Sequence, residues 1–276
     1  MSNYRGSALL IMPDISGYTE FISEVELNHS QHIVTELLEL LLAHNQLGLV
    51  LADIEGDALL LYRPGLPPNW ADLQEQVEEW IQAFHSHLKR LQRDVYCHCG
   101  SCQHIGKMGL KVVAHYGEVA THQVSHIPKL IGRDVVIIHR MLKADLAPRN
   151  HLLVTRALAQ VCDLSLQEGA ANSPTECLLA HEERYPFLGT VPMLWRDYTE
   201  MARQVSQPPT PQEDLPHLPS QFEMQIEIAA PLLRVVELHT NMDNWLQWVP
   251  GIVRLDHDNS VPLRVGNRHL CVFPDS

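Results

Sequence analysis

The chain has 276 residues, of which 45% are apolar and 19% charged, and 20 Lys and Arg against 33 Asp and Glu give a formal net charge of −13 at pH 7. That length and composition allow one large domain, or one domain and part of another, with a sizeable core. The acidic balance excludes a surface built to grip a nucleic-acid polymer, but it leaves room for a nucleotide held through metal ions.

In chain order, Leu9-Leu10-Ile11-Met12-Pro13-Asp14-Ile15-Ser16-Gly17-Tyr18-Thr19 comes first. An apolar strand delivers the Asp14 carboxylate to its end, Gly17 turns the backbone, and a helix opens at Thr19. Alone, Asp14 reads as a helix cap; a carboxylate at such a point can also share a cation with a phosphate. Residues 18–27 and 31–46 are expected as helices, the second capped by Ser30, with Ile33, Leu37, Leu40, Leu41 and Leu47 toward a sheet. His29 and His32 read as helix surface. Segments 47–52 and 58–62 form a hairpin whose acidic tip is Asp53-Ile54-Glu55-Gly56-Asp57. A long amphipathic helix is expected over 69–93. Strands are expected over 110–114 and 118–124, around Tyr116-Gly117. Ile131-Gly132-Arg133-Asp134 opens a helix to about residue 144; a strand over 152–155, a helix over 156–161 and strands over 177–181 and 191–198 complete the unit. This is an α+β order with a mixed sheet and helices on one face. Five prolines mark 204–219 as a linker, so the expected division is 1–203, a linker over 204–220, and 221–276.

No apolar run reaches the length of a membrane span and the N-terminus lacks a signal-peptide pattern, so a cytoplasmic location is expected. Three of the six cysteines lie in Cys97-His98-Cys99-Gly100-Ser101-Cys102. In a cytosolic chain such clustering points to metal or reactive thiols before disulfides. Cys97, Cys99 and Cys102 with His104, or with His98, can complete a tetrahedral Zn²⁺ shell. Reduced surface thiols and a redox dithiol are the other readings.

Asp14 and Asp57 each stand where an apolar strand meets a turn. If the hairpin lies beside the first strand the two carboxylates meet, and two carboxylates plus substrate phosphates are a usual Mg²⁺ shell. With these residues the sequence resembles the catalytic domain of class III adenylate and guanylate cyclases. The matching motifs are Pro13-Asp14-Ile15-Ser16-Gly17-Tyr18-Thr19, Asp53-Ile54-Glu55-Gly56-Asp57, His115-Tyr116-Gly117-Glu118-Val119 and Gly132-Arg133-Asp134-Val135 leading to Arg140-Met141. They run in order over residues 7–200. A bacterial cyclase-like family of unassigned function resembles the chain further, sharing the cysteine insertion. The resemblance implies a ferredoxin-like, nucleotidyl-cyclase-like fold and a head-to-tail homodimer. It implies Mg²⁺ or Mn²⁺ on Asp14 and Asp57, and a phosphate-contacting turn from Ile15 through Ser16 and Gly17 to Tyr18. Arg140 would stabilise the transition state from the partner subunit, and Asp53 with Lys129 would read the purine.

The chain departs from that pattern. Val136 replaces the asparagine four residues before Arg140, and Phe187-Leu188-Gly189-Thr190 replaces the stretch with the phosphate-binding lysine. Asp53 stands where a lysine or glutamate is expected, and Lys129 where an aspartate, threonine or cysteine is. Losing one oriented polar group typically costs about 10²-fold in rate. A domain that binds a purine nucleoside triphosphate with little turnover is therefore expected, in a signalling role. An active cyclase and a zinc-knuckle interaction scaffold are the alternatives. Residues 221–276 resemble the start of a START-like, polyketide-cyclase-like helix-grip fold, whose members enclose small apolar ligands. A strand over 222–228, a helix over 232–240, tryptophans 245 and 248 in the core, and a third strand over 268–273 carrying His269 and Cys271 inward are expected. The chain ends near that strand, which reads as a truncated domain.

Overall fold

A computed structural model describes residues 4–23, 27–94, 104–125, 127–162, 178–209, 226–240, 242–257 and 269–274. The chain divides into two compact units. One comprises residues 1–20, 34–87 and 107–206, the other 21–33, 88–106 and 207–276.

In the first unit, β1 (Arg5–Ser16) lies near the middle of a mixed sheet, and its residues 8–12 are fully buried. A strand covered on both faces must be apolar at every position rather than at alternate ones, which is why Ala8-Leu9-Leu10-Ile11-Met12 is a continuous run. The other strands are β2 (Val50–Glu55), β3 (Ala58–Pro64), β4 (Gly109–Val124), β5 (Ile127–Ile131), β6 (His151–Thr155), β7 (Leu179–Tyr185) and β8 (Gly189–Asp197). Their order is β2-β3-β1-β4-β6-β8-β7, with β5 paired to β4; among the described residues only β4 and β6 run parallel. The helices up to residue 204 are α1 (Tyr18–Ser23), α2 (Leu27–Ala43), α3 (Trp70–Asp94), α4 (Arg133–Met141), α5 (Arg156–Val161) and α6 (Thr199–Gln204), of which residues 21–23, 27–33 and 88–94 belong to the second unit. The fold is the expected α+β arrangement. One core cluster joins Ala8, Leu10 and Met12 to Val135, Ile138 and Met141 of α4. Asn69 caps α3, its Oδ1 accepting from Asp72 N at 2.9 Å.

Several expectations are corrected. Ser30 does not cap α2; it lies inside the helix, which begins at Leu27, and is buried. Leu47 lies beyond α2, where its N–H and that of Gln46 donate to Gln76 Oε1 at 3.1 and 2.6 Å. The acidic tip is shorter than expected, because β2 runs through Asp53 to Glu55 and the turn is Gly56-Asp57. The two strands expected around Tyr116-Gly117 are one 16-residue strand, and the hairpin partner is β5. Pro128, lacking a donor, hid β5 in the sequence and is tolerated because that strand pairs on one side. The helix α6 falls just before the expected linker. Among the described residues, no helix is long and apolar enough to cross a membrane.

In the second unit, α7 (Leu232–Thr240), a 3₁₀ turn (Met242–Asn244) and α8 (Trp245–Trp248) precede the antiparallel pair β9 (Arg254–Asp256) and β10 (Leu270–Val272). Residues 226–228 form no strand, and 222–225 lie outside the described residues. The tryptophans are not core residues. Trp245 Nε1 donates to His239 O at 2.8 Å and Trp248 Nε1 to Leu238 O at 3.1 Å, so both indoles close the end of α7 while staying partly exposed. His269 precedes β10, is exposed, and meets the Trp245 ring edge-on with centroids 5.1 Å apart.

Candidate functional site

Register builds the site. Asp14 lies within β1, two residues before its end, opposite Ala58 of β3 on one side and Lys111 of β4 on the other. The tight turn Gly56-Asp57 places Asp57 beside β1, where Ile15 N donates to Asp57 O at 3.3 Å. The hairpin thus lies beside the first strand, and the carboxyl groups of Asp14 and Asp57 adjoin. Burial and then the neighbouring Asp14 charge push the Asp57 carboxyl up to about 7, and a hydrogen bond shared with Asp14 favours the same protonated form. Asp14 itself is only 8% exposed.

A buried and a half-buried carboxyl group that disfavour each other's charge fit a divalent cation, since oxygen ligands are what Mg²⁺ and Mn²⁺ take and the ion would relieve the repulsion. Among the described residues no third His, Cys, Asp or Glu joins them in a metal-holding group. One cation is part of the chain: Lys111 Nζ lies 2.7 Å from Asp14 Oδ2 and donates to Leu142 O at 3.0 Å. Sequence reading missed Lys111, because a lysine between Leu110 and Val112 looks like the solvent side of a strand; only cross-strand register reveals its partner.

The turn from Ile15 to Tyr18 carries a second basic group that the sequence did not single out. Gly17 has φ +87°, and a Cβ there would lie 2.8 Å from Arg149 Nη1. Only a glycine turn lets this guanidinium lie so close. Arg149 donates to Lys107 O at 2.7 Å and to Glu20 Oε2 at 2.9 Å.

Asp53 and Lys129 are also brought together, but they bind each other. Lys129 Nζ donates to Asp53 Oδ2 between β2 and β5, and this bond holds the Asp53 carboxyl below its ordinary value. Nearby, His139 Nε2 and Glu55 Oε1 pair at 2.6 Å. Arg140 is exposed on α4, one turn after Val136, itself 47% exposed, and its charge acts on the Tyr185 hydroxyl. Phe187 projects into solvent from the β7–β8 turn with φ +65°. Cys97, Cys99 and Cys102 lie outside the described residues, and His104 stands just before a 3₁₀ turn (Ile105–Lys107).

The remaining motif residues form a separate polar chain. Asp134 Oδ2 accepts from Glu118 N at 2.7 Å, and its Oδ1 accepts from His115 Nε2–H at 3.0 Å. His115 Nδ1 accepts the Thr155 hydroxyl at 2.8 Å, while Thr155 Oγ1 accepts from Leu158 N at 3.4 Å and caps α5. Burial lowers the His115 pKa against the opposing pull of Asp134, consistent with a neutral ring. The order resembles a hydroxyl–imidazole–carboxylate triad, but Thr155 is 2% exposed and its oxygen is already engaged. Gly117 belongs to this structure: a Cβ there would lie 2.2 Å from Asp134 Cγ.

Residues 34–151 match the family model described as "Protein of unknown function (DUF2652)". Over 122 residues the chain is 34% identical to an uncharacterized protein of Mycobacterium tuberculosis, a match covering 44% of this chain and 57% of that protein. The chain therefore spans little more than half the length of the curated relative it matches. Among solved structures, the catalytic core of a rhodopsin-guanylyl cyclase with converted specificity, in complex with ATPαS, is similar over 71% of this chain and 97% of its own. The TM-score is 0.51 and the identity 16%. The adenylyl cyclase CyaB from P. aeruginosa aligns over 71% of this chain and 96% of its own, at 12% identity and a TM-score of 0.48. The first likeness identifies the fold as nucleotidyl-cyclase-like; at such identity it says nothing of chemistry.

Proposed function

We propose that the sheet-bearing unit is a cyclase-like domain that binds a purine nucleoside triphosphate through Mg²⁺ or Mn²⁺ on Asp14 and Asp57, with catalysis largely lost and a regulatory role retained. The observation that carries this reading is the adjoining pair of carboxyl groups, one of them with its pKa raised to about 7 by burial and by the other's charge. Burial and the neighbouring Asp14 carboxylate both disfavour the Asp57 charge, and a divalent cation beside it would favour that charge. When bound, the metal would supply positive charge to the phosphates. The backbone from Ile15 to Tyr18 and the nearby Arg149 guanidinium would orient them.

Loss of turnover is supported by the residues that accompany Arg140. Val136 presents an apolar surface one turn before it, and the Phe187-Leu188-Gly189-Thr190 turn offers no ammonium group. In this reading Arg140 acts across a head-to-tail homodimer. Asp53 and Lys129 would have to release each other to meet a purine edge. Residues 221–276 are proposed as the opening part of a helix-grip domain for a small apolar ligand, joined through 204–220 to the cyclase-like domain of 1–203. The knuckle at Cys97, Cys99, Cys102 and His104 is proposed as a zinc site, to be tested by metal analysis.

The purified chain is incubated with Mn²⁺ and each nucleoside triphosphate while melting temperature and cyclic product are followed, the latter by mass spectrometry. A metal-dependent rise in melting temperature, lost in Asp14→Ala and without product, is the expected result. Cyclic product that disappears in Asp14→Ala would establish an active cyclase instead. No shift with any nucleotide would favour an interaction scaffold.

A further inference from the structure

Lys111 is a central-strand lysine whose ammonium group is aimed at a candidate metal ligand. β4 sets it directly across from Asp14 in register, and its neighbour in register on the other side is His151 of β6. The ammonium group bridges Asp14 Oδ2 at 2.7 Å and Leu142 O at 3.0 Å, the latter a backbone carbonyl at the C-cap of α4. The Asp14 side chain is nearly enclosed, and the lysine side chain is about three-quarters covered. An ion pair this sheltered is screened little by solvent or salt. A divalent cation seated on Asp14 would meet a fixed positive charge on the same carboxylate. One seated toward Asp57, the more accessible carboxyl group, would not share its oxygens with the lysine.

We propose that Lys111 is a tethered cation occupying one of the site's two cation positions, so that the chain holds a single divalent metal ion, on the Asp57 side, where an aspartate pair alone would admit two. The inference rests on the metal reading above and deepens it. A lysine cannot be released as a metal ion can, and it cannot lower the pKa of a bound hydroxyl as a metal ion does. A site with one metal and one ammonium group can still hold phosphates by charge. It has lost the paired-metal clamp that supports both the attacking and the leaving oxygen in an in-line displacement. Lys111 thus becomes a specificity-determining residue for metal stoichiometry.

Binding of Mn²⁺ to the full chain, counted by the electron paramagnetic resonance of the free ion, tests this. The wild-type chain is expected to take one Mn²⁺ at the site. Lys111→Gln keeps a donor for Leu142 O but removes the charge, and should admit a second ion or tighten the first at least 10-fold. Lys111→Arg keeps the charge and should stay at one. Asp14→Asn and Asp57→Asn identify which ions belong to the site, and a melting curve confirms that each variant is folded. Two site-bound ions in the wild-type chain, or unchanged number and affinity in folded Lys111→Gln, would overturn the inference while leaving the metal reading intact. No Mn²⁺ dependent on Asp14 or Asp57 in any variant would overturn both. If Lys111→Gln does not fold, Lys111→Arg decides: a second ion there, with the charge still present, refutes the tethered-cation role, and a single ion supports it.

Discussion

Two polar clusters on the same sheet have opposite character. In the Asp134–His115–Thr155 chain every hydrogen-bonding atom has a complementary partner, each proton has one place to go, and the end of the chain caps a helix. At the Asp14–Asp57 pair, two carboxyl groups adjoin, each disfavouring the other's charge, and Lys111 Nζ pairs with Asp14 at 2.7 Å. Asp14, Asp57, His115 and Asp134 all fall in motifs that resemble the same family, yet one cluster is a fastener and the other holds two carboxyl groups in conflict. Motif membership alone does not separate them; partner accounting does.

The largest loss of stability is expected at Asp134. Asp134→Ala leaves the Glu118 N–H and the His115 Nε2–H without their acceptor, and is expected to cost about 3 kcal/mol in a denaturant titration. Gly117→Ala drives a methyl group into the same carboxylate and should cost about 2 kcal/mol. Because both act on one contact, the double variant should be less unstable than the sum of the two. Additive losses would show that Gly117 matters for another reason.

Asp57→Asn should do the reverse and stabilise the chain, by about 1 kcal/mol at pH 8 once solvent screening of this half-exposed group is allowed for. The folded Asp57 carboxyl titrates at about 7 against 3.8 for an ordinary one, so the folded chain binds more protons between those values. Its contribution to stability is full below pH 3.8 and is lost as pH rises through 7. The gain from Asp57→Asn should therefore shrink toward pH 4. His115 has the opposite sign, its folded pKa being depressed from 6.5. Its contribution is present above pH 6.5 and is lost as pH falls through the folded value. Melting temperatures from pH 4 to 8 in Asp57→Asn and in His115→Gln, each against the wild-type chain, read these slopes apart. The smallest effect belongs to Lys129→Ala: a solvent-facing ion pair with Asp53 is worth about 0.5 kcal/mol or less, and a larger loss would make that pair part of the fold.

Much of the architecture was legible because patterns of burial leave patterns in sequence. The unbroken apolar run of β1, the helical spacing in α3 and the β2–β3 hairpin are of this kind. β4 was misread for a physical reason: Gly117 looks like a turn, but its missing Cβ makes room for a carboxylate seventeen residues later. The adjacency of Asp14 and Asp57 could be foreseen from strand ends. The roles of Lys111 and Arg149 could not, since each depends on a partner more than ninety positions away in the chain. Asp53 and Lys129 were expected as a pair that reads a ligand, and their bond to each other appears only with β5 in place.

The length of β4 has a consequence for assembly. β1 pairs with β4 across twelve residues, yet about a hundred residues separate them in the chain. The β2–β3 hairpin reaches β1 across a much shorter loop, and loop closure favours the nearer partner. During synthesis, Asp14 and Asp57 are then expected to meet before Lys111 has emerged. The nascent sheet would pass through a stage with two facing carboxyl groups and no resident cation, and divalent metal in the surrounding solution should speed its closure. Refolding rates of the intact chain with and without Mg²⁺ would register that order of events.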